Sequence, residues 1–402
     1  MRVANVTIRA VNGLTARWAA TLDPDSGSVL SAAGVWPLLA FLADGAGGPA
    51  RRELADAVGT EAGQAAGAAR ELLTAMGSRE GLDIAVGLWT KRTVELREEW
   101  VAGLPAGAHG VLTGELTADR EALDAWAAKA TGGLIPRMPL ALTDATLLVP
   151  ASGLALRTQW LRPFVERPLA PEAGPWSDRL LQGLCRRSEL LDRIGVADTP
   201  LGHVTELKVH GDNGVDVHLL LGEESMTPGQ VLGTGVDLLT RRHPLVPGNR
   251  LPHGEVGPGL SVVRRRGTRP DPPTLDVTTV AYDIAAEHDL LRHPALFGLD
   301  TARDAARGHF PGISAFPLAV QEARQSAMSR FGARGFRAAA VTMVPAAAGA
   351  APPPVRWVTS AVEARFDRPF GFLAVNRQTR LVLAAGWVTD PEPYREDEYQ
   401  MS

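Results

Sequence analysis

The residue types that usually carry chemistry are present, but not in the spacings that build an active site. The chain has no Gly-x-Ser-x-Gly elbow, no phosphate-binding loop and no His-Glu-x-x-His. His203, His210 and His218 lie near one predicted hairpin. Two of them fall at or beyond strand ends and share no face with a carboxylate cluster, so they read as surface or turn histidines rather than metal ligands. Cys185 is the only cysteine, which excludes an intrachain disulfide and a cysteine-based metal site. Beside Leu181 and Leu184 it reads as a buried or half-buried small hydrophobe. The expectation is a protein that is not an enzyme and uses no cofactor or metal.

What remains is mechanical chemistry. Gly335-Phe336-Arg337-Ala338-Ala339-Ala340-Val341-Thr342 sets a run of small residues after a glycine pivot. Such a run can enter the middle of a β-sheet as an extra strand without overfilling it, because Ala adds almost no volume to a close-packed interior. A low-complexity stretch follows, Ala346 to Pro354, whose Pro352-Pro353-Pro354 favours an extended, exposed conformation with no strand pairing. Small side chains between Ala346 and Ala351, without pairing partners, make that stretch the expected place for a protease to cut.

Periodicity supplies the elements that would hold this run. Val11 to Leu22 puts Leu14, Trp18 and Leu22 on one face of an amphipathic helix. Pro49 to Gly59 has a helix start signal and a glycine stop, and the first 145 residues are mainly helical by pattern. Leu82 to Thr90 has the alternation of a strand. From Val204 the period is two, and a turn at Gly211-Asp212-Asn213-Gly214 leads to the return strand Val215 to Leu221. A slip of one residue there would invert both faces. His243 to Pro273 reads as a loop with little regular structure, with Arg264-Arg265-Arg266 and Arg269 solvated within it. Thr274 to Tyr282 is expected to be a strand, Asp283 to Leu299 a helix, and Gln321 to Phe331 the strand that feeds Gly335.

Composition sets the class. A chain of 402 residues suggests two or three domains by length alone, and 45% hydrophobic residues provide for a large core. A net charge of −4 gives no electrostatic reason to expect nucleic acid as a partner. No stretch approaches a membrane span, and no basic segment followed by an apolar block opens the chain, so a cytoplasmic protein without a membrane partner is expected.

Several segments resemble, in order, the serpin family, the serine protease inhibitors. Ser28 to Val35 leading into Leu38 to Ala46 is similar to the family's strand entering its buried second helix. Leu123 to Ile135 resembles the helix that lies across the central sheet. Leu147 to Phe164 resembles the central-sheet strand and its end, with Trp160 and the Pro163-Phe164 pair kept. Gly335 to Thr342 looks like the hinge, and Phe366-Asp367-Arg368-Pro369-Phe370 with the hairpin Phe370 to Val388 like the C-terminal signature. The resemblance, to a bacterial-type member, implies one α+β domain over 1–402. It would have the serpin fold, with three β-sheets, about eight helices and an exposed reactive loop, 335–357 being hinge and loop.

The function so implied is that of a suicide substrate, acting on a serine protease as a monomer. The loop is cut, and its N-terminal part inserts into the central sheet and drags the acyl-enzyme with it. The family's usual spacing from Gly335 puts the scissile bond at Gly349/Ala350, which suits a subtilisin- or elastase-like enzyme. Arg356/Trp357 is the alternative bond, suited to a trypsin-like pocket. The other reading is a non-inhibitory serpin, a binding or chaperone-like protein whose loop is cleaved without trapping.

Departures from the family pattern bear on that choice. Phe336 stands where Thr or Ser is usual, and its ring is expected to overpack the sheet at roughly 1–3 kcal/mol unless a cavity awaits it. Ala333 replaces a glutamate at the loop base, Pro345 would lack an N–H in a central strand, and the span from Gly335 to Phe366 is longer than usual. In the sheet-opening region, which includes Trp160, Ser31 is kept. Gly34, Ser152 and Gln325 stand for Ser, Asn and His, a change expected to remove hydrogen-bonding capacity.

Overall fold

The computed structural model describes residues 3–336 and 357–396. Its centre is a mixed sheet of β3 (His109–Leu112), β2 (Leu82–Lys91), β4 (Leu148–Leu156), β16 (Arg324–Phe331) and β15 (Tyr282–Asp289), in that order. Strands β4 and β16 are parallel and meet through only four residue pairs, from Arg324 opposite Ala151 to Ala327 opposite Leu154. Above them the strands part and two short segments fill the gap, β17 (Gly335–Phe336) and β5 (Thr158–Gln159).

A second sheet runs β1 (Ser28–Leu30), β20 (Val382–Val388), β19 (Phe370–Asn376), β10 (Val215–Gly222), β9 (Gly202–His210), β8 (Ile194–Thr199) and β11 (Leu245–Pro247). A third runs β12 (Gly254–Gly257), β13 (Leu260–Gly267), β18 (Trp357–Arg365), β14 (Thr274–Val280), β7 (Leu181–Ser188) and β6 (Val165–Leu169). Every residue of β10, β19 and β20 is buried, because helices or other strands cover both faces.

The helices are α1 (Asn5–Ala19), α2 (Ala32–Gly45), α3 (Gly48–Val58), α4 (Ala62–Gly77), α5 (Glu98–Ala102), α6 (Leu116–Ala130), α7 (Pro228–Leu239) and α8 (Pro294–Phe297). Helix α2 is apolar all round and accordingly lies inside, where only Asp44 is exposed. Helix α6 lies over β2, where the Trp126 ring occupies the space a Cβ at Gly87 would need. The stop read at Gly59 is a left-handed C-cap, φ 65°, whose N–H closes the last turn of α3. Helix α1 starts earlier than its pattern indicates and stops at Ala19, yet Val11, Leu14 and Trp18 are buried as expected.

Three expectations fail. Asp283 to Leu299 is not one helix: its first seven residues belong to β15, which pairs with β16 over eight residues, and only Pro294–Phe297 is α-helical. Sheet partners override the helix-forming Ala285, Ala286 and Glu287. The region 243–273 is not a loop: it holds β11, β12 and the eight-residue β13. Arg264, Arg265 and Arg266 are strand residues opposite Ser360, Thr359 and Val358. Arg265 bridges Asp276 and Glu363, the latter at 2.7 Å, and Arg187 Nε holds the other Asp276 oxygen at 2.5 Å, so Arg265 is anchored in the third sheet while the side chains of Arg264 and Arg266 are exposed as expected.

His218 also departs from its reading. It is buried in β10, with Nδ1 2.7 Å from Glu206 Oε1 in β9. The hairpin register read from the sequence puts both on one face, with Lys208 Nζ 3.1 Å from Glu206 Oε2. Burial pushes the Glu206 carboxyl up, but His218 and then Lys208 outweigh this and hold it below the usual carboxylate range. His210, at the end of β9, lies 3.7 Å from Asp216, and His203 bonds the exposed Glu223. No group of metal-binding residues occurs among those described.

Candidate functional site at the sheet opening

Two sets of contacts border the gap between β4 and β16. The lower one joins Ser31, Ser152 and Gln325, each at most 1% exposed. Ser31 is the N-cap of α2, accepting on Oγ from the Gly34 N–H, as short polar residues at helix starts do. Its Oγ also donates to the Leu383 carbonyl at 2.7 Å. Gln325 closes a reciprocal pair with the Ser31 backbone. Its Oε1 accepts from Ser31 N–H and its Nε2 donates to Ser31 O, both at 2.8 Å. Nε2 also donates to Ser152 Oγ, 3.1 Å away across the parallel pair.

The expected loss of hydrogen bonding in this region is therefore not observed. The longer Gln325 amide reaches the helix cap directly, and Gly34 lies beside it, where a Cβ would be in ordinary contact with Nε2 at 3.4 Å. On the neighbouring strand His288, opposite Gln325, has Nε2 2.8 Å from the Val29 carbonyl, so β15 is tied to β1. Burial, with a small contribution from His293, holds the His288 imidazole below its usual range despite the Val29 bond.

The upper set lies where the predicted hinge begins. Gly335 and Phe336 already form a two-residue strand paired with β16 on one side and β5 on the other. A Cβ at Gly335 would sit 2.3 Å from the Thr158 carbonyl oxygen, so the close approach of the two backbones requires glycine. Phe336 is 1% exposed. Its ring lies edge-on to Phe372 at 6.3 Å, in an aromatic cluster where Tyr282 stacks on Phe331 at 5.4 Å and on Phe372 at 5.2 Å. The expected overpacking is absent because the phenyl points into the core between two sheets, where a large side chain has partners.

The surrounding loop is fastened by backbone bonds. Trp160 Nε1 donates to the Gly332 carbonyl, Trp160 N–H to Arg334 and Phe164 N–H to Ala333, each at 2.8 Å. Ala333 is buried and supplies this anchor through its backbone. Trp357 opens β18 and is half exposed. Arg337, Ala338, Ala339, Ala340, Pro345, Gly349, Ala350 and Arg356 lie outside the described residues.

Three sheets with eight helices among the described residues, and a short parallel contact at the middle of the central sheet, define the class by architecture. The sequence model of the family described as Serpin (serine protease inhibitor) matches residues 10–172. Human thyroxine-binding globulin complexed with its hormone has the same fold, with TM-score 0.69 and 16% identity over 96% of this chain and 98% of that one. A highly specific serpin of the insect Tenebrio molitor gives 0.69 and 18%, over 96% and 98%. A thermophilic serpin in its native state gives 0.70 and 13%, over 96% and 94%. No curated protein sequence matches the chain. The chain thus has the serpin fold, and its residues 10–172 match the serpin sequence model.

Proposed function

We propose that the protein inhibits a serine protease as a suicide substrate, by cleavage of the segment after the hinge and insertion of its N-terminal part between β4 and β16. The observation that carries this reading is β17, a hinge already paired on both sides above a contact of four residue pairs. Continuing that strand downward exchanges those four pairs for two new ladders. The scissile bond is Gly349/Ala350, with Arg356/Trp357 as the alternative, and the target is subtilisin- or elastase-like. The reaction involves no metal, and the inhibitor acts as a cytoplasmic monomer.

A second reading, a binding protein that does not trap proteases, draws on the bonds of Gln325, one of which crosses from β16 to β4 while two tie β16 to the start of α2. Incubation with elastase and subtilisin tests between them. The inhibitor gives an SDS-stable complex, a C-terminal fragment starting at Ala350, and a cleaved form that melts well above the intact one. Cleavage without complex and without a gain in melting temperature supports the binding role. A fragment starting at Trp357 moves the working bond to Arg356.

A further inference from the structure

A cavity of about 1030 Å³ opens where the start of α1, the end of α4, the start of β2 and the turn between β19 and β20 come together. That volume is at the upper end of what small-molecule sites enclose. Its apolar wall is formed by Ile8, Met76, Leu82 and Leu381. No acidic residue is among the described residues that line it.

The polar side presents donors. Arg79 Nη2 donates to the Gln378 side-chain oxygen at 3.2 Å, a neutral partner, and no carboxylate pairs with this guanidinium among the described residues. With its oxygen so used, Gln378 offers its amide nitrogen. Asn376 is 6% exposed, and its Oδ1 accepts from the N–H of Gln378 and of Thr379, both at 3.1 Å. This fixes the amide orientation and leaves Asn376 Nδ2 on the cavity lining with no partner among the described residues. A solvent-accessible amide donor beside a cation with no carboxylate partner favours an anion.

We infer that this cavity binds an amphiphilic anion, a single carboxylate held by Arg79, Asn376 and Gln378 with an apolar body along Ile8, Met76 and Leu82. A medium-chain fatty acid has this chemistry.

Titration calorimetry with decanoate on the intact protein tests it, with decanol as the uncharged probe. One saturable site is expected for decanoate, with decanol bound at least about tenfold more weakly for want of the charge-assisted bonds. Arg79→Gln and Asn376→Asp should each weaken decanoate by about tenfold or more. Asn376→Asp keeps the acceptor for the turn and changes only what faces the ligand, so its melting temperature without ligand should match the parent. Decanoate should raise the melting temperature of the parent and not of the variants. Absence of saturable binding overturns the inference. So does equal affinity for decanol, or decanoate affinity unchanged in a variant that retains the parent melting temperature. If Arg79→Gln does not fold, Asn376→Asp decides alone, and conversely.

Discussion

Gln325 and Ser31, 294 residues apart in sequence, clasp one another by two reciprocal hydrogen bonds of 2.8 Å in the fully buried seam between the central sheet and the cap of its inner helix. Because Gln325 also holds Ser152 across the four-pair contact, one amide fastens β16 to both α2 and β4. Gln325→Ala leaves the Ser31 N–H buried without a partner, while the Ser31 carbonyl still accepts from the Gly34 and Val35 N–H groups, and should lower stability by about 2 to 3 kcal/mol. Ser152→Ala removes a single bond and should cost about 1 kcal/mol. Urea unfolding midpoints give this order directly, and equal effects would show that the clasp on Ser31 contributes nothing.

Phe336 is a core residue, so its truncation should harm the intact protein. Phe336→Ala opens a void beside Phe372 and should destabilise by about 3 to 5 kcal/mol. Phe336→Thr should also lower the melting temperature of the uncleaved form instead of relieving strain. Gly335→Ala places a methyl against the Thr158 carbonyl and should unseat the hinge, read as faster proteolysis after Phe336. A neutral effect of both Phe336 variants on melting would contradict the buried placement of the ring.

The Arg187, Asp276, Arg265 and Glu363 ladder crosses β7, β14, β13 and β18. Its side chains are partly solvated, so Asp276→Asn should cost only about 1 kcal/mol. Most of that difference should vanish in 1 M salt. A cost that survives high salt would assign the effect to packing.

The acid side of the stability curve should carry a His288 contribution. The imidazole is neutral in the fold, with its pKa lowered from 6.5, while the unfolded chain takes up a proton near the ordinary value. Stability from this group is complete above that value and is lost as pH falls toward the lowered one. Gln can keep the donor to Val29 without titrating. The loss in melting temperature between pH 7.5 and 5 should therefore be smaller in His288→Gln than in the parent, and an unchanged loss would remove His288 from the account.

Local signals were sufficient for elements whose cause is local. The glycine stop at Gly59, the turn at Gly211 to Gly214 and the alternation on both sides of it each fix backbone conformation within a few residues, and all three stand in the fold. The same register, followed through, would have placed His218 and Glu206 on one face. The order of the serpin-like segments pointed to the fold. What the tertiary structure decided depends on partners far along the chain. Residues 283–289 are a strand because β16 lies beside them, and the arginine triplet is a strand because β18, about a hundred residues on, pairs with it. Gln325 makes good the missing polar residues only because folding brings it to Ser31, and Phe336 fits only because Phe372 from another sheet receives it. Propensity and periodicity act over a turn or a strand, whereas these fates depend on contacts whose free energy exists only once the sheets are packed.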